Sequence, residues 1–311
     1  RASQETLPTE PDRFTKTDLM EREASYGKAG FALQFMLDTT LADADKYPLK
    51  LSDLMVTALN PKKGWADLAW ASGPTQVVEN VPIVGFTGDK FYRPMWMSDD
   101  MLDFTGSVLA IDPSGRGKDE TAYAVVKMLN GYLYVTRIGG FVGGYSDKTL
   151  TSLSTVAKQE SVNMVIVESN FGDGMYVKLL TPILNRIHRV TIEEVRHSTQ
   201  KEMRMIDTLE PVMMQHRLIV DEKLIKEDYD SAPEPSYSLF YQMTRLTRDR
   251  GAIIHDDRLD ALSMAVAYWT EQMDADSESL ASMQKTEAFN REIERFMDHA
   301  VGQKPRGITW M

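Results

Sequence analysis

From residue 106 onward, short apolar runs alternate with polar turns, and the longer stretches between them repeat their apolar positions at helical intervals. GSVLAID, TAYAVVKML and GYLYVTRIGGF are rich in apolar, β-branched and aromatic residues and are parted by turn formers, which predicts three strands of an antiparallel meander. A helix is expected at about 147–160, a fourth buried strand at MVIVESN (164–170), a second helix from Asp173 to Ile187 with Asp173 at its start, and a fifth strand at VTIEEV. The order β-β-β-α-β-α-β defines an α/β domain.

The flanks are less regular. After the fifth strand come an amphipathic helix at about 199–214, a short RLIV strand and a polar, proline-containing segment at 226–238. The stretch beginning at Asp256 predicts a helix whose acidic start suits the positive end of the helix dipole. Upstream, residues 1–20 are polar and proline-bearing and read as a linker from a missing N-terminal domain, 21–38 as one helix with a glycine interruption, and 45–100 as a connecting region with some strand. The expected division is therefore 1–100 linker and connecting region, 101–272 α/β domain, and 273–311 a charged, loosely held tail.

Length and composition narrow the chemistry. With 311 residues the chain has ample length for a buried core, and it opens on arginine, as a piece of a longer polypeptide would. It has no cysteine, which excludes disulfides, thiolate metal sites and a cysteine nucleophile. Any metal must sit among oxygens and imidazoles. No signal peptide or long apolar segment is visible, so a cytoplasmic protein with no membrane partner is expected. The net charge of −11 argues weakly against a large nucleic-acid surface, although local basic patches can overcome it.

The stretch VLAIDPSGRGK, residues 108–118, poses the sharpest question of chemistry. A phosphate-cradling loop needs a glycine where Asp112 stands and a Ser or Thr where Asp119 stands, so that reading fails on spacing. A carboxylate at the end of a buried strand suits a hard cation, or it simply opens the turn; this stretch alone leaves both open. The strand order resembles the mixed five-stranded sheet of the ribonuclease H (RuvC-like) type, order 3-2-1-4-5, flanked by helices and followed by the acidic helix. In that order the first and fourth strands are neighbours, with Asp112 and Glu168 about 5 Å apart. On the acidic helix Asp256, Asp257 and Asp260 fall within about a third of the circumference, beside an apolar stripe of Leu259, Leu262, Val266 and Trp269. Alone, such a start reads as a solvated cap. With Asp112 and Glu168 it reads as a cluster holding two Mg²⁺ or Mn²⁺ ions for phosphodiester hydrolysis, with Asp112, Glu168 and Asp257 catalytic and Asp256 and Asp260 further ligands.

VLAIDPSGRGKDETAYAVV, MVIVESNFGDG and HDDRLDALSMA, in this order, resemble the nuclease domain of the large terminase subunit of tailed bacteriophages, and within it the DNA maturase B proteins of short-tailed, autographivirus-type phages. The likeness covers most of residues 20–270, and GKAGFALQFMLD is similar to the segment joining that family's packaging ATPase to its nuclease. The resemblance implies an endonuclease cutting concatemeric viral double-stranded DNA during packaging, in the host bacterial cytoplasm. Implied partners are the portal and procapsid, the small terminase subunit and an upstream ATPase domain of the same polypeptide, with the tail a candidate for docking. Asp112 matches the first metal carboxylate, Glu168 the second, and the His255-Asp256-Asp257 stretch the third, while a related D-x-x-D-A-L pattern places its acids at Asp257 and Asp260. No Walker motif occurs, so no ATPase activity is expected of this chain. Lys201, Arg204, Arg245, Arg248 and Arg250 are candidate DNA contacts or ordinary surface charge, and Lys62, Lys63, Arg116 and Lys118 are weaker ones. His188, His197 and His216 lack ligand spacing and read as structural, with His255 placed beside the site. An actin-like ATPase would need a second strand-Asp-Gly hairpin, which is absent from the sequence. A non-catalytic portal-docking module would not need acids at all three positions.

Overall fold

A computed structural model of the chain describes residues 15, 18, 19, 22, 46–115, 119–169 and 174–275. Most of the expected linker and first helix, the turn at 116–118, Asp173 and the tail past 275 lie outside the described residues. The chain divides into two units, 1–266 and 267–311. In the second, residues 267–275 are helical. Everything that follows concerns the first.

Its strands run, in chain order, β1 (Met55–Thr57), β2 (Lys63–Trp65), β3 (Leu68–Ala69), β4 (Trp96–Met97), β5 (Met101–Asp103), β6 (Gly106–Asp112), β7 (Glu120–Leu129), β8 (Tyr132–Val142), β9 (Met164–Glu168), β10 (Thr191–Val195) and β11 (Leu218–Asp221). The main sheet has the order β1-β11-β8-β7-β6-β9-β10, while β2 with β5 and β3 with β4 form small antiparallel ribbons. The meander and two crossovers expected from the sequence are β6 to β10, which lie in the order third, second, first, fourth, fifth. The sheet is nevertheless seven-stranded rather than five-stranded, because β11 and then β1 add in parallel beside β8.

Within 45–100, expected to be a connecting region with some strand, β1 is one of the strands and joins the main sheet. Leu49, Leu51, Leu54, Met55 and Val56 are all buried, so this segment belongs to the core. Three residues are too few to show a period, and the partner strand lies more than half the chain away, so local pattern could not reveal the pairing.

All seven residues of β6 are buried, as expected of a strand covered on both faces. On one face Leu109 and Ile111, with Val165 and Val167 of β9, meet Leu150, Leu153 and Ala157 of α1 (Asp147–Gln159) and Tyr176, Leu180 and Leu184 of α2 (Met175–Ile187). The spacing of those helical residues makes one apolar stripe per helix. Ser146 caps α1 by accepting from the Thr149 amide. α3 (Lys201–Met214) buries Met205, Ile206, Leu209, Val212 and Met213. The polar, proline-containing segment at 226–238 contains the latter part of α4 (Glu222–Ser231) and leads into α5 (Leu239–Arg245), helices too short to declare themselves by period.

The loop after β6 is held from the far side of the hairpin. Ser114 N–H donates to the Thr121 hydroxyl, and that hydroxyl donates to the Gly144 carbonyl. Gly144 has φ +55°, and a Cβ there would stand 2.4 Å from the Gly115 carbonyl oxygen, so only glycine admits this close approach.

Candidate metal centre

β6 and β9 run parallel with Ile111 opposite Val167, so the next residues, Asp112 and Glu168, end adjacent strands side by side. The helix that begins at 257 brings Asp260 to the same place. The three buried residues each offer a carboxylate oxygen, all within 4.8 Å of one another. They lie at the carboxyl ends of strands where β6 sends its chain one way and β9 packs on the other side, the position at which open α/β sheets form ligand crevices. At an effective dielectric constant of about 20, two full charges this close repel by about 3 kcal/mol, so the cluster favours either protons or nearby positive charge. Buried, all-oxygen and anionic, the donor set fits a hard divalent cation such as Mg²⁺ or Mn²⁺.

Two side chains of α3 supply positive charge. Lys201 Nζ lies 2.8 Å from Asp256, 3.1 Å from Asp260 and 3.6 Å from Asp112. One turn on, an Arg204 guanidinium nitrogen is 2.8 and 3.0 Å from the two Asp260 oxygens and 3.7 Å from Glu168. Burial still pushes Asp112 well above the ordinary aspartate range; Lys201 opposes this, and Asp260, Glu168 and Asp257 reinforce it. Glu168 is raised by burial and by Asp260, against the pull of a hydrogen bond shared with Asp112 and of both cations. The acids raise Lys201 well above its usual value despite its burial, so it stays charged.

The third acid in close reach is thus Asp260, one helical turn inside, rather than Asp257 at the first helical position. Asp257 stands beside the group, close enough to act on Asp112, and its own pKa is raised to about 6 by burial, with Lys201 opposing and Asp256 and Asp119 adding. Lys201 and Arg204, expected as DNA contacts, are drawn into the acidic cluster. The other arginines are placed elsewhere. Arg245 donates to the Val84 and Gly85 carbonyls and lies over the Tyr241 ring, Arg248 pairs with Asp207 and Glu210, and Arg250 is exposed near Glu202. Lys62 and Lys63 are exposed. His188 bonds to the Val162 carbonyl and His216 stacks on Trp70. His197 is near enough to Arg204 and Asp260 to feel their charges, and His255 stacks on Tyr237.

Sequence reasoning missed Arg258. It is fully buried, with Nε 3.0 Å from Glu120 Oε2 and one terminal nitrogen 3.1 Å from Glu120 Oε1, while the other is 2.8 Å from Asp228 Oδ1. This joins the acidic helix to β7 and α4. Asp228 in turn accepts from the Leu239 amide and the Ser238 hydroxyl at the start of α5. The signal was present: Arg258 precedes Leu262 by four and Ala265 by seven, which puts a charge on the apolar face.

Residues 111–218 match the family described as Terminase Bacteriophage T7, Ribonuclease H-like domain. The large terminase subunit of Enterobacteria phage T3 is 44% identical over 310 residues, covering 98% of this chain and 52% of that protein, so the chain spans about half the length of the curated relative it matches. Among solved structures, the Mn-soaked, inhibitor-bound nuclease domain of the human cytomegalovirus terminase is 14% identical, covering 53% of this chain and 84% of that one at a TM-score of 0.40. The nuclease domain of the large terminase subunit gp2 of bacterial virus Sf6 is 13% identical, with coverage of 52% and 88% and a TM-score of 0.40. Residues 111–218 of this chain are thus similar to the ribonuclease H-like domain of the bacteriophage T7 terminase family.

Proposed function

We propose that this chain is the nuclease part of a phage terminase large subunit, a metal-dependent endonuclease that cuts concatemeric viral double-stranded DNA during genome packaging in the host bacterial cytoplasm. The observation that carries the reading is the buried convergence of Asp112, Glu168 and Asp260 at the ends of neighbouring strands. Asp112, Glu168 and Asp260 would hold the first ion, and Asp257 and Asp256 would contribute to a second. When bound, two such ions would supply the charge that activates a water and stabilises the leaving oxygen. The chain's own part is to fix the ligands: β6 and β9 set Asp112 and Glu168 in register, and Arg204 grips both oxygens of Asp260 so that it cannot rotate away. Lys201 and Arg204 hold the cluster's charge in check. By likeness to the longer phage protein, an upstream ATPase domain, the small terminase subunit and the portal are the expected partners, and this chain is not expected to hydrolyse ATP. Among the described residues no helix is long and apolar enough to cross a membrane.

The test is incubation of the chain with supercoiled plasmid in Mg²⁺, Mn²⁺ or EDTA. Nicked and linear products are expected with either ion and none with EDTA, with rates that fall steeply as salt rises because phosphate contacts dominate such binding. Undiminished cleavage in EDTA would falsify the mechanism.

A further inference from the structure

Lys201 and Arg204 both face the acidic cluster, yet they are held differently. Arg204 is 11% exposed, whereas Lys201 is 34% exposed and lies at the open side. Lys201 is also the first residue of α3, where the positive end of the helix dipole disfavours a cation, and Gln200 before it provides no side-chain cap. The helix does not ask for a lysine there. Three carboxylates do, and two of them, Asp112 and Asp260, are members of the close acidic triad. A divalent cation gathered by the triad must compete with the ammonium for the same oxygens.

Resting on the metal-dependent reading above, the geometry points to Lys201 as a tethered counter-ion that changes partner: it neutralises Asp112 and Asp260 in the metal-free chain, is displaced by the incoming cation, and then serves a phosphate of the DNA. Arg204, nearly enclosed and gripping Asp260 through both oxygens, stays in place. The ammonium cannot hold the carboxylates and a phosphate together, so its contribution to DNA binding is tied to metal loading. Linkage makes the tie reciprocal: DNA that captures Lys201 strengthens cation binding, and cation that frees Lys201 strengthens DNA binding. An idle chain thereby keeps its cluster charge-balanced without metal, and an engaged one gains a phosphate contact beside the scissile bond.

The experiment compares the parent chain with Lys201→Met, which keeps the apolar stem and removes the charge, and with Lys201→Arg, which keeps the charge. Ca²⁺ and Mn²⁺ binding is measured by titration calorimetry without DNA, and binding of a short duplex by fluorescence anisotropy in EDTA and in Ca²⁺ across a salt series. Lys201→Met is expected to bind either cation at least about tenfold more tightly, roughly 1.4 kcal/mol. Its DNA affinity should equal the parent's in EDTA but fall below it in Ca²⁺, with a salt slope shallower by about one phosphate contact. Lys201→Arg should bind cation as the parent does. A parent-like or weaker cation affinity in a Lys201→Met protein that melts like the parent overturns the exchange, as does an equal loss of DNA affinity in EDTA and Ca²⁺. If Lys201→Met does not fold, a gain in cation affinity by Lys201→Arg has the same force, because charge would then not be the cause. Absence of cation binding in the parent would instead sink the metal-dependent reading itself.

Discussion

Asp257→Asn should stabilise the metal-free protein near neutral pH and do nothing for it in acid. An ordinary aspartate titrates near 3.9, whereas burial and the neighbouring Asp256 and Asp119 raise Asp257 to about 6 against the pull of Lys201. The folded chain therefore keeps a proton that the unfolded chain releases between about pH 4 and 6, so stability falls as pH rises through that window, and above it the whole deficit is present. Two units correspond to about 3 kcal/mol, which we halve to about 1.5 kcal/mol because the side chain is partly open to solvent. Asparagine cannot ionise and removes the deficit. For a unit of this size that is a rise in Tm of roughly 3–6 °C. The assay is thermal melting of parent and variant in EDTA at pH 4 and pH 7.5. A variant that melts at or below the parent at pH 7.5, or that gains as much at pH 4, would refute the electrostatic account of Asp257.

Asp260→Asn and Asp112→Asn should each lower plasmid cleavage by at least about a hundredfold and abolish the rise in Tm produced by Mn²⁺, since a ligand that binds only the folded state stabilises it; cleavage rates and melting curves with and without Mn²⁺ check both. Arg258→Met strands the buried Glu120 and Asp228 carboxylates and should lower stability by about 3–5 kcal/mol in urea denaturation, whereas removing both acids together with Arg258 should recover much of that. Gly144→Ala forces a left-handed alanine against the Gly115 carbonyl, and the loop after Asp112 must move; a stability loss of about 1–3 kcal/mol with a disproportionate loss of cleavage is expected, and equal losses would mean the loop does not bear on the site. Leu209→Ala, fully buried on α3 away from the acids, should lower stability by about 2–5 kcal/mol while leaving the Mn²⁺ affinity of the folded protein unchanged.

Much of this protein is written in local sequence. The strands β6 to β9 announce themselves as apolar runs bounded by turn formers, because burial on both faces leaves little room for polar residues, and the helices α1 to α3 show the period of one buried face; both signals are readable without a partner in view. Asp112 and Glu168 were legible for the same reason, each closing an apolar run whose direction and neighbour the strand order implies. Tertiary structure alone decided the rest. β1 joins the sheet through three residues paired with a strand far along the chain, so no window of sequence contains the interaction that makes it a strand. The choice of Asp260 over Asp257 for the closest contact turns on how the acidic helix is rotated against the strand ends, and Arg258, gripping Glu120 and Asp228 from the opposite side, is one of the groups that fix that rotation. Lys201 and Arg204 look in sequence like cations free to meet DNA; folding draws them to carboxylates 55 and 56 residues away, because a buried cluster of like charge takes the nearest opposite charge the fold can bring.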